Sequence, residues 1–412
     1  MQKLIIIGAS HAGLFCGEQL RSNGFDGDIT IIDRLAGMPL ERPALSKAFL
    51  RAADADETKF LLRRDNWFFA QNVKFVDGRS VIRIDVTRQA IKLDDGSSHA
   101  YDWLVVATGA VPRQLAAAKN MNRAFVLRNP DDARAIRNSI PSSKRAIVIG
   151  GGYIGLEAAA SMAKAGLEVH VIEMADRLLP RVASPQISVF FTDLHKSHNV
   201  QIHTGQTADK ILSDDSGFTG VRLGDGLQLD GDLLLVGIGV VPDVCLAKNA
   251  GLAVDNGILV DDLMQSSVAN IYAIGDVARR MDAALRIESV DNAQTSAAVA
   301  AAAICDVEPP TIAAPWFWSE QFDVRLQSAG IVPTISPTLC HVIRPGKRPG
   351  CKSVWSYDNG ILKAVEAVRD PAAYMLGKKC LDLGISPLPA HVADASFDLK
   401  AFVAAGDNKR DL

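Results

Sequence analysis

Cysteine is scarce in this chain and poorly spaced for chemistry. Six stand among 412 residues, at 16, 245, 305, 340, 351 and 380. None forms C-x-x-C or a metal-ligand spacing. That excludes a cysteine metal motif and a sequence-local redox pair, so no metal is expected and the six read as small buried hydrophobes. No apolar run reaches the roughly 18 residues a membrane-crossing helix needs. Leu4-Ile5-Ile6-Ile7 leads straight into Gly8, which leaves no room for a secretory leader and predicts a cytoplasmic protein away from membranes. Neither charge dominates. A net charge of −3 and a pI near 6.3 speak against a nucleic-acid partner. The composition, 48% apolar and 22% charged, is ordinary for a globular protein, and the length predicts two to three domains.

Against that plain background three glycine and acid signatures stand out in fixed order. They are G-A-S-H-A-G at 8–13, G-G-G-Y-I-G at 150–155 and I-Y-A-I-G-D at 271–276. The first two each follow an apolar strand and open a helix, as a dinucleotide turn does. Glycine is needed where such a backbone bends and where it meets a pyrophosphate, and the helix N-terminus then faces the phosphates. Gly8 and Gly13 fill the first and third places of the first turn. Ser10 replaces the middle glycine and adds a hydroxyl able to bond phosphate. Asp33, 25 residues after Gly8, ends the strand Ile29-Thr30-Ile31-Ile32, where a carboxylate reaches ribose hydroxyls; Arg34 is the alternative if the register slips by one.

The second turn is unmodified: Gly150, Gly152 and Gly155, with Tyr153 and Ile154 between. Glu173 ends the next strand. A carboxylate there accepts from a free 2′-hydroxyl and repels a 2′-phosphate, which predicts NADH over NADPH, with Arg177 and Arg181 as weak counter-signals. Gly275-Asp276 closes a later apolar strand, and a helix beginning near Asn292 is placed to offer its N-terminus to a reduced ring. Two nucleotide sites of one design, followed by the late Gly-Asp, predict a flavin and a nicotinamide face to face and a chemistry of electron transfer.

Coarser features fill in the map. Residues 35–80 read as irregular, Val81 to Leu93 as a hairpin closed by Asp94-Asp95-Gly96, and Leu104 to Gly109 as a strand ending in a turn. A helix is expected over 154–165 and a strand over 233–239. Beyond 314 the pattern shifts to two hairpin-like pairs, with Asp358-Asn359-Gly360 as a turn, then a helix near 371–382.

The chain resembles the FAD-dependent NADH:ferredoxin reductases that serve Rieske dioxygenases and bacterial P450 systems. The resemblance runs over nearly its whole length. It is carried by Glu41-Arg42-Pro43-Ala44-Leu45-Ser46-Lys47, Ala107-Thr108-Gly109-Ala110, Leu127-Arg128 with Asp131-Asp132-Ala133, Arg286 to Ala293, and Pro315-Trp316-Phe317-Trp318-Ser319-Glu320-Gln321. Leu40 and Ala44 depart from the family's usual aromatic or histidine and second proline. The resemblance implies an α/β fold with two Rossmann-like nucleotide-binding domains of the glutathione-reductase kind and a C-terminal α+β interface domain. The boundaries are expected at 1–112 with 244–313 for FAD, 113–243 for NAD, and 314–412 for the interface. It further implies FAD contacts at Ala12, Asp33 or Arg34, Lys47, Val81, Arg128, Asp276 and Val290, with Arg42 and Ala107-Thr108-Gly109 in the same lining. The nicotinamide side uses the 150–155 loop, Glu157, Glu173 and Gly239. Lys47 and Glu157 are implied to pair at the hydride-transfer site, with Trp318 near the flavin edge.

Residues 35–50, where disulfide reductases of this fold carry their redox cysteines, contain none. Flavin chemistry without a thiol leaves hydride uptake from NADH and single-electron delivery. The expected acceptor is an acidic [2Fe–2S] ferredoxin, docking transiently on basic residues such as Arg344, Lys347, Arg348, Lys378 and Lys379. A rubredoxin reductase is the enzymatic alternative. An apoptosis-inducing-factor-like association protein that senses NADH is the alternative of another class. A monomer or weak homodimer is expected.

Overall fold

Each of the two glycine turns emerges from the middle strand of a five-stranded parallel sheet. The computed structural model describes residues 1–52 and 56–407. Positions 53–55 of the expected irregular stretch and 408–412 of the expected last domain lie outside the described residues. The chain divides into two units, Met1–Arg42 with Asp54–Val111 and Val240–Ile312, and Pro43–Ala53 with Pro112–Gly239 and Ala313–Leu412.

In the first unit Lys3–Ile7 lies between Asp28–Ile32 and Trp103–Val106; Val73–Val76 and Ile271–Ala273 form the edges. Leu4 to Ile7 are all buried. A parallel strand covered on both faces reads as a continuous apolar run, which is why these residues do not alternate. The helix His11–Ser22 packs on Val290–Ile304. Small buried residues on each helix, Gly13 and Gly17 on one and Ala293, Ala297 and Ala300 on the other, allow that approach. Cys16 and Cys380 are buried as expected, and burial pushes the Cys16 thiol well above the ordinary range. Cys245 and Cys340 are exposed and Cys305 and Cys351 half-buried, so the expectation of six buried cysteines does not hold.

In the second unit Arg145–Ile149 lies between Glu168–Glu173 and Leu233–Val236, with Gln201–Thr204 and Ala124–Phe125 outside them. The helix Tyr153–Lys164 follows its central strand. The same unit holds a five-stranded antiparallel sheet in the order Trp316–Gln321, Val324–Gly330, Ile361–Val368, Lys352–Asp358, Cys340–Pro345. The helix Pro371–Leu383 packs on it, stopped by Gly384 in the left-handed region at φ 65°.

Three local readings change. Residues 35–80 hold helical turns, a helix at Asp65–Ala70 and the edge strand Val73–Val76. That strand has four residues and one solvent-facing lysine, too short a period to distinguish from loop. The hairpin Val81–Asp85 with Ala90–Leu93 turns at 86–89, and Asp94-Asp95-Gly96 instead joins the second strand to Ser98–Ala100. The late pairs form one sheet, in which Asn359 (φ 51°) and Gly360 (φ 74°) make the expected tight turn.

Candidate functional site

The first glycine turn is fixed by what a side chain would strike. A Cβ at Gly8 would sit 2.3 Å from the Ala107 carbonyl oxygen, and one at Gly13 would sit 1.9 Å from that of Gly8. Gly8 has φ +112°, a region closed to most other residues. Asp33 braces the turn: its Oδ2 accepts from the Ala9 amide at 2.6 Å and its Oδ1 from the Leu35 amide at 2.8 Å. Arg34 turns instead to Asp243 at 2.9 Å. Ser10 caps the helix without a side-chain bond to its first amides. Its hydroxyl accepts from Arg42 Nε at 2.9 Å. Ala12 and Val81 are buried in the core of the same unit.

The second turn repeats this construction. Gly150 (φ +108°) would place a Cβ 2.3 Å from the Gly237 carbonyl, and Gly155 would place one 2.3 Å from that of Gly150. Glu173 Oε2 accepts from the Gly151 amide at 2.7 Å, and Oε1 from the Ala175 amide at 2.9 Å. Nothing lies within 4 Å of a Cβ built on Gly152. The helix Tyr153–Lys164 likewise lacks a side-chain cap. Uncapped first-turn amides and a bracing carboxylate at each turn, with open space at Gly152 in the second, suit a pyrophosphate–ribose group, so both turns fit the dinucleotides expected of them. Arg177 is committed elsewhere, donating to the Ala183 and Pro180 carbonyls and to Ser188 Oγ. Gly239 (φ +96°) accepts from the Arg113 amide at 2.9 Å, and Ile154 is exposed.

Lys47 and Glu157, 110 residues apart in sequence, meet as an ion pair of 2.6 Å. Glu157 is 4% exposed and the Lys47 side chain 13%. Burial of two charges is costly unless their remaining hydrogen-bonding capacity is met. Here Lys47 Nζ also donates to the Pro43 carbonyl at 2.9 Å. Ser46 Oγ donates to Glu157 Oε2 at 2.5 Å, and Ser319 Oγ to Oε1 at 2.7 Å. Ser161, one turn beyond Glu157, donates to the Ser46 carbonyl at 2.8 Å and ties the Lys47 segment to the helix. Ser46 and Ser319 lie inside the 41–47 and 315–321 segments that carry the resemblance without being marked as site residues, and Ser161 carries no signal in the sequence.

Other expected positions fall in ordered places. Thr108 Oγ1 donates to the Asp243 carbonyl at 2.8 Å, and Gly109 has φ +70°. Gly275 (φ +68°) donates its amide to Ser296 Oγ at 2.9 Å, half-buried Asp276 follows it, and Val290 begins the helix capped by Ser289. The Arg128 amide donates to Asp132. Trp318 stacks on Trp316 at 5.5 Å, while Phe317 packs on Tyr153 at 4.6 Å. The Tyr153 hydroxyl is buried without a partner, and burial raises its pKa.

One buried acid was not foreseen. Glu366 is fully buried on Ile361–Val368, and both its oxygens share the Ser184 amide at 3.1 and 3.2 Å. Burial pushes its carboxyl up to about 7. Its sequence context, V-E-A-V inside a strand, gave no hint of that burial.

Comparison with known proteins places these features in a family. The model of the pyridine nucleotide-disulphide oxidoreductases matches residues 2–297, and that of the reductase C-terminal domain matches 316–403. Rhodocoxin reductase of Rhodococcus erythropolis is 36% identical over 406 residues, covering 97% of this chain and 94% of its own. Putidaredoxin reductase of Pseudomonas putida is 36% identical over 412 residues, covering 98% and 97%. The crystal structure of the covalent putidaredoxin reductase–putidaredoxin complex matches with a TM-score of 0.93 at 35% identity, covering 98% of this chain and 99% of that one.

Proposed function

The chain belongs to the pyridine nucleotide-disulphide oxidoreductase family, and on that premise we propose that it is an NADH-dependent ferredoxin reductase, passing electrons through FAD to a [2Fe–2S] ferredoxin of an oxygenase or P450 system. The observation that carries this is the duplicated turn, each copy braced by its own carboxylate, Asp33 in one and Glu173 in the other. Full-length likeness to reductases of redoxin partners supports the acceptor class. FAD supplies the conversion of a two-electron donor into single-electron steps.

The residues divide the remaining work. Gly8 and Gly13 let the first turn approach a pyrophosphate, and Asp33 holds that turn in shape. Gly150, Gly152 and Gly155 do the same for NADH, with Glu173 selecting a free 2′-hydroxyl. Lys47 supplies a fixed positive charge for the hydride step, and Glu157 keeps it in place. Trp318 lines the flavin edge in this assignment. No cysteine lies between 35 and 50, and Cys16 is sealed in the core, so the chain offers no thiol pair there for a disulfide relay.

Transient docking of the ferredoxin falls to exposed Lys347 and Arg348. Arg344 is occupied, its guanidinium donating to the carbonyls of His391, Val392, Asp394, Ala395 and Phe397. Lys378 pairs with Asp382 at 2.8 Å. The domain division at 1–112 with 244–313, 113–243 and 314–412 belongs to the same proposal. It is supported near 314 by the gap between the two matched models. So do a cytoplasmic location and a monomer or weak homodimer; among the described residues no helix is long and apolar enough to cross a membrane.

Cytochrome c reduction by NADH, with and without added redoxin, tests the proposal. Strong dependence on a [2Fe–2S] ferredoxin is expected. Dependence on rubredoxin alone, or no stimulation by either, contradicts it.

A further inference from the structure

Glu157 does not end its connections at Ser319. Gln321, two residues on along the same strand and so on the same face, donates from Nε2 to Ser319 Oγ at 3.2 Å. Gln321 Oε1 lies 2.8 Å from His195 Nε2 on the helix Pro185–Ser197. Ser319, Gln321 and His195 are all fully buried. Phe322 holds the His195 ring edge-on at 5.1 Å.

The direction of this chain follows from which groups can donate. A carboxylate only accepts, so the Ser319 hydroxyl must give its proton to Glu157. Ser319 therefore accepts from the next residue, which turns the amide nitrogen of Gln321 toward it and its carbonyl oxygen toward His195. That oxygen demands a donor, so His195 carries its proton on Nε2. The remaining His195 nitrogen, Nδ1, is buried without a partner. A bare acceptor there is tolerated better than an orphaned N–H. The opposite amide orientation would set two oxygens against each other at Ser319 and leave an N–H stranded at Nδ1. Burial also lowers the His195 pKa to about 4, in keeping with a neutral ring.

We propose that His195, Gln321 and Ser319 form a one-way hydrogen-bond relay that aims the Glu157 carboxylate at Lys47, making them positioning residues for hydride transfer. The proposal rests on the assignment of the Lys47–Glu157 pair to that step. Each donor in the series polarises the next, so the whole acts on Glu157 through Ser319 alone.

The tautomer is read first, by long-range ¹H–¹⁵N correlation on histidine-labelled holoenzyme. The expected result is a neutral His195 protonated on Nε2 with Nδ1 bare, and faster exchange of that proton with water in Gln321→Leu. Rapid-mixing reduction of the bound flavin by NADH is the second arm. Ser319→Ala is expected to slow the limiting rate about tenfold with the NADH Kd unchanged, as loss of one hydrogen bond to a charged group implies. Gln321→Leu should slow it less, and the double variant no more than Ser319→Ala, since Gln321 acts through Ser319. Ser319→Thr keeps the hydroxyl and should restore the rate. A proton on Nδ1, or a double variant whose effect is the product of the two singles, overturns the relay. Lys47→Met separates the two ideas. Slow reduction in that variant beside an unaffected Ser319→Ala overturns the relay alone, whereas parent-like reduction in it overturns the assignment of the pair and the relay's role with it.

Discussion

Replacing Glu173 with alanine tests the coenzyme site at the carboxylate that braces its turn. The carboxylate performs two tasks. It accepts from the Gly151 and Ala175 amides at 2.7 and 2.9 Å, and in the proposed function it accepts from the ribose of NADH. Loss of one hydrogen bond to a charged group costs about 1.5–3 kcal/mol, so kcat/KM for NADH should fall about tenfold to 150-fold. The truncation also removes a negative charge that would repel a 2′-phosphate. NADPH should nonetheless gain little, because Arg177 is held by two carbonyls and Ser188 and cannot turn to a phosphate without breaking three bonds. The assay is the initial rate of cytochrome c reduction at saturating ferredoxin, titrated separately with NADH and NADPH. Most of the loss should appear in KM. Unchanged kcat/KM for NADH would refute the assignment of Glu173. A switch to efficient NADPH use that a further Arg177→Ala change abolishes would refute the account of Arg177.

Four further outcomes are expected. Gly155→Ala should abolish NADH-driven turnover while leaving the protein yellow, since its Cβ meets the Gly150 carbonyl in the second turn only; flavin absorbance and turnover read this together. Lys47→Met should retain FAD but slow its reduction by NADH, seen by stopped flow, and an unchanged rate counts against the pair. Glu366, raised to about 7 by burial, binds more protons folded than unfolded, so its contribution is complete below the ordinary carboxylate range and declines as pH rises to about 7; Glu366→Gln should remove a loss of about 3 kcal/mol across that window, measured as urea midpoints against pH, and parallel profiles would contradict this. Charge reversal of Lys347 and Arg348 should lower the ferredoxin on-rate and flatten its dependence on ionic strength, without altering flavin reduction by NADH.

How far the residues alone reveal all this depends on the range over which each is constrained. The two turns are legible because Gly13 and Gly155 answer to the nearby carbonyls of Gly8 and Gly150 and their carboxylates sit at strand ends, although Gly8 and Gly150 themselves answer to the distant carbonyls of Ala107 and Gly237. The tight turn at Asn359-Gly360 was legible for the same local reason. The Lys47–Glu157 pair was reachable only through family resemblance, since nothing in either segment names the other. Ser319 and Gln321 enter only as part of the segment that carries the resemblance, and His195 not at all, because their order depends on packing between a helix and a strand 126 residues apart. Glutamine and histidine carry no mark of burial in their own neighbourhood. Val73–Val76 was missed for the opposite reason, as an edge strand too short to show a period, and Glu366 because its partners come from a distant helix cap.

The central claim is tested most directly by anaerobic titration of the purified yellow protein. One equivalent of NADH should bleach the flavin absorbance, and oxidised [2Fe–2S] ferredoxin should then restore it while two equivalents become reduced. A protein that carries no flavin even after reconstitution, one bleached by dithionite but not by NADH, or one whose colour returns without ferredoxin reduction would contradict the account.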